Sequence, residues 1–123
     1  MLLQALAPTT CLAVSVLHIR GRFLNEYLRK FTNWFVEQSD GDWEHGKGIR
    51  ISTLDNPGWE MDIDLEGTGL EEEPFESLKV KRNEQDWIHC FVRERNFCVR
   101  CGPNNLEEGM QHFLEWVKDK PAP

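Results

Sequence analysis

The 123-residue sequence has no unbroken apolar run long enough to cross a bilayer. It also has no glycine-rich phosphate loop, no serine nucleophile elbow and no basic stripe interleaved with aromatics. The usual marks of a nucleotide-binding enzyme, a serine hydrolase and a nucleic-acid binder are therefore missing. No internal repeat and no second domain can be read in it. Acids are absent from the first 22 residues. All 21 acids of the chain stand against 12 bases in residues 23–123, within a formal net charge of −7. A field of that sign repels nucleic acid and anionic membranes and favours a basic partner.

Cysteine is scarce, at four (Cys11, Cys90, Cys98, Cys101), and no convincing export signal accompanies it. Reduced thiols in a cytoplasm are expected. The apolar stretch Met1 to His18 lacks a positively charged n-region and is interrupted by Pro8 and Thr9-Thr10. Residues 1–22 read as a leader or disordered segment outside the domain, and 23–120 as one domain.

What is present suits a small globular fold: 40% hydrophobic and 28% charged residues, with five Trp and seven Phe. Each aromatic can bury on the order of 150–250 Å², so neither a cofactor nor a covalent staple is needed to close the core. Leu24, Tyr27, Leu28, Phe31, Trp34 and Phe35 recur at spacings of three and four and predict a helix from Phe23. It should stop by Ser39, where Ser39-Asp40-Gly41-Asp42 has turn chemistry. Alternation then predicts a hairpin, with Ile49, Ile51 and Thr53 on one arm and Trp59, Met61, Ile63 and Leu65 on the other, joined by Asp55-Asn56-Pro57-Gly58. Further strands are predicted over Glu76–Lys81, Asp86–Arg93 and Phe97–Cys101, the last two joined by Glu94-Arg95-Asn96. Asn105 as N-cap and Glu108 three residues on open a last helix whose stripe is Leu106, Met110, Phe113, Leu114 and Val117. The expected fold is α+β: an antiparallel five-stranded meander sheet flanked by an N-terminal and a C-terminal helix.

Two constellations raise the question of chemistry. Cys98 and Cys101 form a CxxC, but on a strand the two side chains point to opposite faces. A structural zinc needs two such pairs, and a redox pair needs a helix N-terminus. Asp40, Asp42, Glu44 and His45 are the densest group of metal-ligand types. As a calcium loop they put His45 where glycine is needed and Ile51 where a bidentate Glu is needed. A small metal-dependent or thiol enzyme using the Asp40/Asp42/Glu44/His45 cluster or the Cys98/Cys101 pair is the alternative kept open; no spacing enforces convergence of His45, His89 and the acids of the second strand. No cofactor and no metal are expected. Trp43, flanked by acids, is either an exposed anchor for a partner or part of the core.

The run Ser39-Asp40-Gly41-Asp42-Trp43-Glu44-His45, continued by Gly48-Ile49 and Thr53-Leu54-Asp55-Asn56-Pro57-Gly58-Trp59, resembles the immunity protein 53 family of bacterial polymorphic toxin systems. Asp86-Trp87-Ile88-His89-Cys90 and Gly102-Pro103-Asn104-Asn105-Leu106-Glu107-Glu108 extend the match, so that it spans about Phe23 to Val117. The chain departs from the family pattern at Lys47, Cys101 and Gly109, where the pattern has an aromatic, a glycine and a larger apolar residue. The resemblance implies a cytoplasmic antidote that binds and blocks a cognate toxin without catalysis. Charge adds the expectation that Asp40, Asp42, Trp43, Glu44, His45, Glu60, Asp62 and Asp64 form the partner surface. Such a surface suits a basic cleft like that of a nuclease toxin, with no role for nucleic acid or membrane as partner.

Overall fold

Strands of alternating character need one face covered, and two helices supply the cover. The computed structural model describes residues 26–118; the expectation for residues 1–22 lies outside them. A helix over residues 26–38, α1, precedes five strands: β1 (Ile49–Leu54), β2 (Gly58–Asp64), β3 (Leu78–Asn83), β4 (Asp86–Arg93) and β5 (Asn96–Cys101). The chain then enters α2, Leu106–Lys118. The fold is α+β, with every strand pairing antiparallel.

Strand order is β1-β2-β5-β4-β3, so the strands do not follow one another across the sheet in chain order as a simple meander would place them. Residues 65–77 are too long a link for a hairpin, and they carry the chain from β2 to the start of β3 at the far edge. The β3–β4 and β4–β5 hairpins then bring it back, and β5 takes the place beside β2. β1 and β3 are the two edge strands.

The register gives each face its residues. Ile63 pairs with Phe97, Met61 with Val99, Val99 with Cys90, and Cys101 with Ile88. These side chains point to the helices and are buried. Phe113 of α2 sits at the centre, with ring centroids 4.8 Å from Trp34, 5.1 Å from Phe97 and 6.0 Å from Phe31. One aromatic thereby joins both helices to the sheet, and edge-to-face pairs of this kind are worth about 0.5–1.5 kcal/mol beyond the area they bury.

Three tryptophans tie loops to this core. The indole N–H of Trp43 donates to the Asp64 carbonyl at 2.9 Å, that of Trp59 to Pro103 at 3.0 Å, and that of Trp116 to Pro74 at 3.0 Å. Each ring packs against apolar neighbours while its single polar atom finds a backbone carbonyl.

Close approach fixes glycine at positions 58 and 109, as it does at 102. A Cβ at position 58 would run into the Cys101 carbonyl, so Gly58 is required by the β2–β5 contact and not by a positive φ. A Cβ at position 109 would lie 2.8 Å from Cγ1 of Val99, so the glycine lets α2 settle onto β5. Asn105 does precede α2, but its amide N–H donates to Asp86 at 2.9 Å and to Glu108 at 3.1 Å. The reciprocal backbone bonds expected of a capping box give way to this side-chain cluster, which Arg82 completes with 2.7 Å bonds to Asp86 and Glu108. Glu108 and Asp86 are both held below the usual carboxylate range, Glu108 chiefly by Arg82 and Asp86 chiefly by the Asn105 amide.

Candidate partner-binding surface

Both helices of the described residues lie on one side of the sheet. On the other, no helix of the described residues covers the strands, and the register assembles a broad polar face there. Arg50 stands opposite Asp62, Glu60 opposite Arg100, Cys98 opposite Phe91, Arg100 opposite His89, and His89 opposite Lys79. Arg50, Lys79, Lys81 and Arg93 are exposed, while Glu60, Asp62, Trp87, His89, Phe91 and Arg100 are half-buried.

Arg100 organises the centre. It donates to Asp62 at 2.9 Å, lies 4.0 Å from Glu60, and holds its guanidinium 5.7 Å from the centroid of Phe91. Arg93 reaches the same ring at 5.5 Å. Desolvation lowers the pKa of His89, and Lys79 and Arg100 lower it further, so the ring is neutral at physiological pH. It rests against Phe91 at 4.6 Å. A neutral imidazole, two aromatics and several cations thus share a face on which Glu60, Asp62 and Asp64 are the strand carboxylates.

The acidic character belongs to the end of the sheet. The loop after α1 closes on itself: the Asp40 carboxylate accepts from the backbone N–H groups of Asp42 and Trp43, both at 3.0 Å. Glu44 accepts from those of Asp40 at 2.9 Å and Gly41 at 2.8 Å. The Trp43 and Asp42 N–H groups hold the Asp40 carboxyl below its ordinary range. Asp64 N–H donates to Gly48 at 2.9 Å, and Leu65 N–H donates to Arg95 at 2.9 Å. The loop, the end of β2 and the β4–β5 turn therefore meet. Asp42, His45, Glu66 and Glu94 are exposed along this end.

The expected site residues fall into three groups. Asp40, Asp42, Glu44 and His45 lie together in the loop, and Asp64 joins them through the Trp43 bond to its carbonyl. Glu60 and Asp62 lie further along β2 and are engaged by Arg100. Trp43 is 7% exposed, packed against Trp34 at 5.6 Å and Phe35 at 5.7 Å, so its ring is part of the core beneath this surface. Arg50, Phe91, Arg93 and Arg100 were missed. Alternation along Asp86–Arg93 puts Trp87, His89 and Phe91 on one face, but only strand order shows that β5 brings Arg100 between them and the acids of β2.

The chemical alternatives gain no geometry. Asp40 and Glu44 direct their carboxylates to backbone N–H groups, and among the described residues no three His, Cys, Asp or Glu side chains converge as metal ligands would. Cys98 lies on the uncovered face and Cys101 under α2, as strand geometry requires. Burial pushes the Cys98 and Cys101 thiols up to about 11 and the Cys90 thiol up to about 12. A nucleophilic thiolate needs the opposite shift.

Fold and surface together define a single-sheet α+β domain with one charged and aromatic sheet face that neither helix covers. The sequence model of the immunity protein 53 family matches residues 28–118, and the chain belongs to that family, the immunity proteins of a toxin system. No curated protein and no solved structure matches it. Among the described residues, no helix is long and apolar enough to cross a membrane.

Proposed function

We propose that this chain binds and neutralises the cognate toxin of its system in the cytoplasm, using the uncovered sheet face and the acidic end beside it. The observation that carries this reading is the placement of half-buried Trp87, His89 and Phe91 among charged side chains on a face that neither helix covers. Aromatic anchors within a polar rim are the pattern of a binding hot spot. Asp40, Asp42, Glu44, Glu60, Asp62 and Asp64 carry the electrostatic part, steering a basic partner towards the face. A toxin with a basic active-site cleft, as in a nuclease, fits that charge, and binding over the cleft would block it without catalysis by this chain.

The test is co-expression with the toxic domain encoded by the adjacent gene, together with calorimetry on the purified pair. Restored growth and a stoichiometric complex are expected. Failure to bind that domain, with the chain folded, would remove the reading.

A further inference from the structure

We propose that a basic notch at one end of the uncovered face receives a carboxylate side chain of the toxin, an inference that rests on the toxin-binding reading above. The notch is a shallow depression of about 170 Å³ where the starts of β1 and β5 meet the ends of β2 and β4. Lys47, Arg50, Arg93 and Arg100 line it against Asp62 and Glu94. In a chain of net charge −7, cations outnumber acids among the residues that line it. Asp62 is already bonded to Arg100 at 2.9 Å. Lys47, Arg50 and Arg93 form no ion pair among the described residues.

Two of the cations are also held in place. The Phe91 ring seats the Arg93 guanidinium at 5.5 Å and that of Arg100 at 5.7 Å. Cation–π seating limits the rotamers that binding would otherwise have to freeze. Buried Cys98, its thiol protonated, lines the notch, and a poorly hydrated wall strengthens charge interactions above it.

Charge and size select the occupant. At about 30 Å³ per water, the depression holds a handful of waters, enough for one carboxylate. A polynucleotide would have to pass Asp62 and Glu94 and run on over the acidic end, where its phosphates are repelled. A toxin that is basic overall but carries one acid at the matching position satisfies both fields. Guanidinium forks match a carboxylate in two parallel bonds. A basic protein lacking that acid would leave three cations covered and unpaired, so the notch rejects partners that the acidic end alone would admit.

The experiment compares the unchanged chain with Arg50→Glu/Arg93→Glu and Arg50→Gln/Arg93→Gln for binding to the toxic domain of the adjacent gene, circular dichroism confirming the fold. Neither arginine is engaged in the core, so both variants should fold. The Glu variant should bind about tenfold or more weaker and the Gln variant by an intermediate factor, and an Asp or Glu→Lys change on the toxin should restore binding to the Glu variant. Binding by the unchanged chain with no loss in either variant overturns the notch and leaves the toxin reading standing. No binding by the unchanged chain overturns both. Binding of a single-stranded oligonucleotide to the unchanged chain, lost in the Glu variant, makes the notch a phosphate site and overturns the proposed occupant.

Discussion

Trp43 donates its indole N–H to the Asp64 carbonyl at 2.9 Å while its ring packs against Trp34. One side chain thus fixes the acidic loop to the end of β2 and links the core to the surface proposed to meet the partner.

Removal of that side chain should act on folding first. Trp43→Ala should lower stability by about 3–5 kcal/mol through the cavity it leaves. Trp43→Phe should cost about 1–3 kcal/mol, because the Asp64 carbonyl loses its donor in a half-buried position. Denaturant unfolding checks both. A Trp43→Ala protein of undiminished stability that no longer binds toxin would show the residue to be a contact and not a support.

Gly109 should resist the change that helix propensity favours. Alanine is better than glycine inside a helix by about 1 kcal/mol, yet a Cβ at this position would lie 2.8 Å from Cγ1 of Val99. Overpacking of this kind costs about 1–3 kcal/mol, so Gly109→Ala should be neutral to destabilising, and Val99→Ala should be less harmful in its background than alone. Additive effects in this double-mutant cycle would refute the contact.

Much of this architecture was legible in the chain, for reasons particular residues make plain. Period-two alternation in Trp59 to Leu65 and Asp86 to Arg93 set which side chains share a face, and the 106–117 stripe set the buried side of α2. Strand order was not legible, because each hairpin reports only its own two strands, while the position of β5 beside β2 depends on the long link over residues 65–77. The surface suffered from the same gap. Glu60 and Asp62 could be assigned to a wet face, but Arg100, which bonds Asp62, lies 38 residues away from it in sequence. The role of Trp43 turned on tertiary contacts with Trp34 and Phe35, which local pattern does not contain.

The buried thiols set an alkaline limit to stability. Cys90, Cys98 and Cys101 are raised from 9.0 to about 12, 11 and 11 in the folded chain. The folded state therefore keeps protons that the unfolded chain releases. Their contribution is complete below about pH 9 and is lost as pH rises towards the folded values. The denaturant midpoint should hold steady near neutrality and fall above about pH 9, less steeply in Cys98→Ser. In a Cys11→Ser background, a thiol reagent should react slowly at neutral pH until the protein is unfolded; fast stoichiometric reaction would contradict the burial.

The β4–β5 turn stores strain that can be relieved. Glu94 and Arg95 have φ of 53° and 62°, a left-handed region that costs a side chain about 1–2 kcal/mol. Asn-Gly accepts such a two-residue turn best, so Glu94→Asn/Arg95→Gly should raise stability by roughly 1–2 kcal/mol. The exposed pairs of Arg95 with Glu66 at 3.9 Å and Glu72 at 3.5 Å offset little of this. A thermal midpoint unchanged or lowered would argue that the turn is held by contacts the variant removes.

Reversal of the β2 acids tests the electrostatic half of the proposed surface. Glu60, Asp62 and Asp64 share one side of β2 beside the acidic loop, so changing all three to Lys replaces attraction for a basic partner with repulsion. Charges of this kind govern association rate and its salt dependence more than dissociation. The triple variant should associate with the toxic domain more slowly by about tenfold or more at low salt, with the difference shrinking as salt is added. It should also protect cells less well. The fold should weaken without collapsing. Asp62 is paired with Arg100 at 2.9 Å, so Asp62→Lys sets like charges across β2 and β5, where cross-strand pairs are worth about 0.2–1 kcal/mol. Adding Arg100→Glu to the triple variant should recover that stability without recovering the association rate, which separates folding from steering. If the triple variant folds and associates at an unchanged rate in low salt, the acids of β2 serve solubility and the partner surface lies elsewhere.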